Sequence, residues 1–187
     1  MSARTGIVEG VNELQAALAD DDAFAAWYRR TLPRVYGYLL GRCGNDVALA
    51  EELSQQTFVA AINQRSRFDG RSDVVTWLCG IARHKLADHF RAVDRDERRR
   101  IQIEVRQIRV ADPAARGPGL DDRAAIAEAL RSLPAAEQAV LVFIVFDGLP
   151  VAEAGRLLGR STAATHSLLH RARERFRRAY GGESTDD

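Results

Sequence analysis

Six arginines against one acid between residues 160 and 180 form the feature of this chain best suited to chemistry. Arg160, Arg171, Arg173, Arg175, Arg177 and Arg178 stand beside Glu174 alone. A guanidinium fork binds phosphate oxygens two at a time, so the stripe points to a polyanion. Just upstream, Gly155 and Gly159 are four residues apart. They predict a close helix approach and a tight turn between a short helix, Val151–Leu158, and a longer one capped by Ser161. Leu157 and Leu158 on the first would meet Leu168 and Leu169 on the second. A helix–turn–helix of this kind lays its second helix in the DNA major groove, with its first residues at base edges and flanking arginines on phosphates. A helical hairpin with a merely solvated basic face is the competing reading.

Other residue groups carry weaker chemical signals. His166 and His170 are one helical turn apart, as zinc ligands can be, but no third ligand is obvious nearby. His84, Asp88 and His89 are judged the same way. No serine, cysteine or histidine arrangement resembles a nucleophilic site and no glycine-rich phosphate loop is present, so neither catalysis, a metal nor a cofactor is expected. Cys43 and Cys79 are 36 positions apart and form no CxxC pair. Buried, inert thiols in a reducing, cytoplasmic setting are the expectation.

These groups need elements to position them, and the periodicity is helical almost throughout. Phe24, Trp27, Tyr28, Leu32, Val35, Tyr36 and Leu39 recur at three- and four-residue steps, with Pro33 predicting a kink or break near Thr31. A second helix is expected from about Val47 to Arg65, with Leu49, Leu53, Phe58, Ala61 and Ile62 on one side. A polar loop, Phe68 to Ser72, leads into a third helix from Asp73 to about Arg91, presenting Val74, Trp77, Leu78, Ile81, Ala82 and Leu86. Residues 94–100 then lose all apolar character, and 111–120 carries two prolines and two glycines. Residues 93–120 therefore read as a flexible linker, with a short strand at 101–110 as the alternative. A helix from Asp121–Asp122 and an apolar segment after Leu133-Pro134 complete an all-α chain of two small helical domains, 20–92 and 121–180.

Composition agrees with that outline. With 187 residues, 46% hydrophobic and 28% charged, the chain suits one or two globular units and not wholesale disorder. No apolar run approaches a bilayer span, so no membrane partner is expected. Residues 1–22 set Arg4 against five acids, where a secretory leader would be basic and then apolar. Basic charge is thus concentrated on one surface of a chain whose net charge is +1.

Two longer stretches carry a resemblance. AEELSQQTF at 50–58 and, further on, Trp77-Leu78, Ile81-Ala82-Arg83, Asp88 and Arg91 resemble the extracytoplasmic-function (ECF) group of bacterial RNA polymerase sigma factors, group 4 of the sigma-70 family. Leu133-Pro134 with Glu137, and Ser161 with Ser167 to Arg173, resemble that family's C-terminal domain. The resemblance spans about residues 22–180, both halves in the family's order. It implies a transcription initiation factor that binds core RNA polymerase and directs promoter recognition and melting. Glu51, Glu52, Gln55 and Gln56 would dock on the β′ clamp helices. Arg67, Phe68, Arg71, Ser72, Arg83, His84, Lys85 and Arg91 would meet the −10 element of promoter DNA. Ser161, Thr162, Thr165, His166, Ser167, His170, Arg171 and Arg173 would meet the −35 element, with the β flap as a further contact. An anti-sigma factor is the implied inhibitory partner.

The residues also support the assignment directly. An exposed polar face beside an apolar one suits helix docking. Arg67, Phe68 and Arg71 suit holding an unstacked base, though Phe68 reads equally well as a core plug. Trp77 and Ile81, one turn apart, read as core. The chain departs from the family pattern at Gln56, where an acid is usual, at Arg160 in a usually apolar turn position, and at Leu168 where arginine is frequent. The rival readings are a stand-alone helix–turn–helix transcriptional regulator, a helical adaptor with an arginine-rich tail, and a metal enzyme built on the histidine pairs.

Overall fold

The computed structural model describes residues 19–104 and 122–181, with Leu14 and Ala16. Among the described residues the regular structure is entirely helical. The chain divides into two compact units at Leu86/Ala87, and each unit is described by itself.

In the first unit, α1 (Asp21–Arg42) starts where Asp20 accepts from the Ala23 amide at 2.8 Å, and acids at 21 and 22 complement the helix dipole. The helix runs unbroken through Pro33, so the break expected near Thr31 does not occur. Helix α2 (Val47–Asn63) is capped by Asp46, which accepts from Leu49 N at 3.0 Å. The two helices bury an aromatic cluster. Trp27 meets Phe58 edge-on at 5.5 Å, and Tyr28 meets Phe58 at 4.7 Å. Val35, Leu39, Ala50, Leu53 and Ala61 fill the space around it, each buried large aliphatic contributing about 1.5–3 kcal/mol. Ser54 and Thr57 face inward because their hydroxyls donate to the Ala50 and Leu53 carbonyls one turn back.

Cys43 closes α1 and is buried, and neither cysteine is disulfide-bonded. Desolvation, aided by Asp46 and opposed by Arg42, pushes the Cys43 thiol up to about 12. The folded protein therefore keeps this proton from pH 9 to about 12 while the unfolded chain loses it. That contribution to stability is complete below pH 9 and declines as pH rises towards 12. Iodoacetamide at pH 8 is expected to modify Cys43 only after denaturant is added, and mass spectrometry of the peptide would detect any native-state labelling.

Helix α3 (Val74–Glu104) holds the largest departure from the sequence reading. It begins at Asp73, whose carboxylate accepts from Val75 N at 2.9 Å and Thr76 N at 3.2 Å and so caps the helix. It continues thirteen residues past Arg91, through the whole polar run 94–100 of the expected linker. The polar run is helical because its charges pair along the helix: Arg98 with Asp94 at 3.1 Å and Arg99 with Asp96 at 3.8 Å. The strand alternative fails at 101–104, which is helix. Residues 105–120, the rest of that linker, lie outside the described residues.

The second unit contains the C-terminal half of α3 and helices α4 (Asp122–Arg131), α5 (Ala135–Leu141), α6 (Val151–Leu158) and α7 (Thr162–Gly181). Leu130, Leu133, Ala139, Val140, Val142 and Phe143 form its apolar centre. After α5 the backbone widens into a π turn over Val142–Phe146, closed by Asp147 N on the Val142 carbonyl at 3.0 Å. Gly148, at φ +66°, ends the turn. The wider turn leaves Val145 and Phe146 about half exposed. No described helix is long and apolar enough to cross a membrane.

Candidate nucleic-acid and polymerase interfaces

Three surfaces collect the candidate residues. On α2, Glu51, Glu52, Gln55 and Gln56 are all exposed, opposite the buried Leu53–Phe58 side. Gln56 donates to Glu52 at 3.0 Å, which holds two of the four in one arrangement. Sequence reading missed the apolar ends of this stripe. Val47 and Val59 are 54% and 59% exposed, one turn before Glu51 and one turn after Gln55. Counting in steps of four from Glu51 would have found both.

The second surface is the loop before α3 and the helix face behind it. Arg67 and Arg71 are exposed, and Gly70 takes φ +72° to turn the loop. Arg71 pairs with Asp69 at 3.2 Å. Ser72 is half-buried. Phe68 is a core plug: it is 5% exposed with its ring centroid 5.0 Å from that of Trp77. This corrects its place among the DNA-facing residues, since a ring so enclosed has no face for a base. Trp77, expected in the core, is instead half-buried and is the aromatic ring of this region that reaches the surface. Along α3, His84 is exposed and Lys85 half-buried. Arg83 is half-buried and donates through Nε to the Tyr38 hydroxyl at 3.4 Å, while Arg91 pairs with Asp88.

The third surface is the helix–turn–helix. Ser161 caps α7, accepting from Ala164 N at 3.2 Å. Gly159 sits at φ +65°, and Arg160 N donates back to the Gly155 carbonyl at 2.8 Å, the bond pattern of a Schellman turn. Ser161, Thr162, His166, Ser167, His170, Arg171 and Arg173 are exposed on α7. Thr165 is not, which corrects its assignment. It is fully buried, its hydroxyl donating to the Ser161 carbonyl at 2.8 Å, on the inward row with Leu168, Leu169 and Ala172. The spacing 165, 168, 169, 172 carried that signal.

The arginine stripe divides in two. Arg175 pairs at 2.9 Å with Glu137, whose side chain is only 7% exposed, and so ties α7 to α5. Arg177 pairs with Glu174. Among the described residues no carboxylate pairs with Arg171 or Arg173, which leaves these two available for phosphate. Within the same residues no three metal-ligating side chains converge, and His166 and His170 point outward.

Gly155 explains how α6 and α7 approach so closely. A Cβ there would lie 2.8 Å from Thr165 Oγ1 and 3.0 Å from the Arg160 carbonyl oxygen. Gly155→Ala is expected to destabilise the second unit by about 1–3 kcal/mol, read as a lower thermal midpoint.

Known proteins share both regions. Sigma-70 region 2 matches residues 27–96, and Sigma-70, region 4 matches residues 123–176. The ECF RNA polymerase sigma factor SigF of Caulobacter vibrioides is 33% identical over 168 residues, covering 86% of this chain and 91% of the relative. The ECF RNA polymerase sigma factor BldN of Streptomyces coelicolor is 32% identical over 173 residues, 89% of this chain. The chain spans 62% of the length of BldN. In fold, the chain is similar to the sigma factor RpoE of Bartonella quintana, solved with the anti-sigma factor NepR. That likeness has a TM-score of 0.52 at 21% identity, covering 87% of this chain and 99% of RpoE.

Proposed function

The chain belongs to the ECF group of sigma-70 transcription initiation factors, and from that premise we propose how its surfaces divide the work. The α2 stripe, Val47 to Val59, docks on the β′ clamp helices of core RNA polymerase. Apolar ends flanking Glu51, Glu52, Gln55 and Gln56 suit this, because apolar contact supplies affinity while the charges set the register. Arg67, Arg71 and Ser72 of the loop, with His84 and Lys85 of α3, meet the −10 element. Trp77 offers the surface on which an unstacked base rests, each such stack contributing about 1–3 kcal/mol. Melting then follows from capture of flipped bases, with no covalent chemistry, so the protein acts as a binding factor and not as an enzyme.

Helix α7 reads the −35 element from the major groove through Thr162, His166 and Ser167, while His170, Arg171 and Arg173 hold the backbone. Val145 and Phe146 offer an apolar face that suits the polymerase β flap or an anti-sigma factor. Action in the cytoplasm, where the polymerase is, follows from this reading. The observation that carries it is the pair of exposed arginines, Arg171 and Arg173, on a capped helix beside a glycine-mediated turn.

Size-exclusion chromatography with bacterial core polymerase tests this division. Co-elution is expected, weakened by Val59→Asp. Separate elution, with a tight gel shift of duplex DNA by the chain alone, would instead favour a stand-alone regulator.

A further inference from the structure

Helix α7 is longer than groove reading requires. It runs for 20 residues, or about 30 Å of axis. The residues proposed to meet DNA end at Arg173, about 17 Å beyond Thr162, whereas a major groove is about 12 Å wide. The last two turns therefore project past the phosphate rim of that groove.

Those turns carry a built surface. Arg173, Phe176, Arg177 and Tyr180 recur at steps of three, one and three, so they form one stripe. The stripe continues the side of the helix that bears Thr162 and His166, since Tyr180 follows Thr162 by about five full turns. Phe176 and Tyr180 stack with ring planes 8° apart and centroids 5.7 Å apart. Phe176 is half-buried and Tyr180 is 43% exposed, so the enclosed ring steadies the exposed one. Arg173 and Arg177 flank the rings, and both are exposed. Arg177 pairs with Glu174, but these side chains are 70% and 48% exposed, so the pair contributes little and a phosphate can displace it. Charge here is one-sided: from 171 to 178, five arginines stand beside the single acid Glu174.

Duplex DNA keeps its bases stacked and shows a surface ring only sugar and phosphate, for which arginines suffice. An aromatic platform set among guanidinium groups fits an unpaired base and its phosphates. We propose that the C-terminal turns of α7 bind single-stranded nucleic acid, with an unpaired base on Tyr180 and an adjoining phosphate on Arg177. The site goes beyond promoter reading and takes from it only the placement of α7 in the groove. RNA and DNA strands share this chemistry and differ in the 2′-hydroxyl.

The test titrates the full chain, without polymerase, with oligouridine, oligothymidine and a duplex of equal length. Nuclear magnetic resonance shifts of the Ala179 and Gly181 amides report the affinity of this end of α7 alone, separately from the loop before α3. Both single strands are expected to bind here about tenfold more tightly than the duplex, and the tighter of the two identifies the source. Tyr180→Ala should weaken single-strand binding about tenfold, while Tyr180→Phe, which keeps the ring, should stay within about twofold. Arg177→Ala should lower the slope of log affinity against log salt by about 0.7. Equal affinity for duplex and single strand would overturn the site. So would a Tyr180→Ala chain that melts earlier yet binds the strands unchanged, because the ring pair would then only support the helix end. No arm needs polymerase, so failure here leaves the promoter reading intact, and a chain that does not co-elute with polymerase leaves this site intact.

Discussion

Leu53→Asp is expected to unfold the N-terminal unit and abolish polymerase binding. Leu53 is 2% exposed and lies on the α2 side that faces α1. Its removal forfeits about 2 kcal/mol of apolar burial, and a carboxylate in its place adds a desolvation cost of several kcal/mol. A domain stable by about 5–15 kcal/mol, shared over two units, does not withstand that loss. Circular dichroism should show roughly the helix content of α1, α2 and the first half of α3 lost at 25 °C. Val59→Asp, on the exposed side of the same helix, separates folding from docking. Its melting should stay within about 0.5 kcal/mol of the parent.

Arg173→Glu is expected to act on DNA and not on the fold. Arg173 is exposed, and no described carboxylate holds it. Loss of one phosphate contact lowers the slope of log affinity against log salt by about one, and the added negative charge should bring the loss to the order of tenfold at low salt. Arg175→Ala provides the contrast two residues away. It should lower the thermal midpoint, because Glu137 loses its partner in a nearly buried position, and leave the salt slope unchanged. Fluorescence anisotropy of promoter DNA with the assembled polymerase, from 50 to 300 mM salt by our choice, would read both.

The helices were legible in the sequence because their apolar residues repeat at 3.6 and their caps are the short polar residues such starts favour. The helix–turn–helix was legible for the same reason, its two glycines marking the turn and the close approach. Residues 93–104 were not. Periodicity detects a buried stripe, and this segment is held by pairs along the helix and by two contacts with residues 38 and 66 positions away. Arg160 was visible as an oddity in the turn, but nothing local identified Asp94 as its partner.

Site residues divided by the same logic. The α2 face could be read because exposure there follows from the helix period. Thr165 was misplaced because it came with its neighbours in the set that the resemblance implied, whereas its position in the row with Leu168, Leu169 and Ala172 put it inside. Phe68 and Trp77 exchanged roles for a tertiary reason. The loop folds Phe68 under Trp77, and no local pattern decides which of two touching rings is uppermost.

Run-off transcription tests the central claim most directly, with purified core polymerase and template from the chain's own genome. With the chain present, discrete transcripts should begin a fixed distance downstream of paired −10 and −35 elements, and scrambling either element should remove them. Identical transcript patterns with and without the chain would contradict the account.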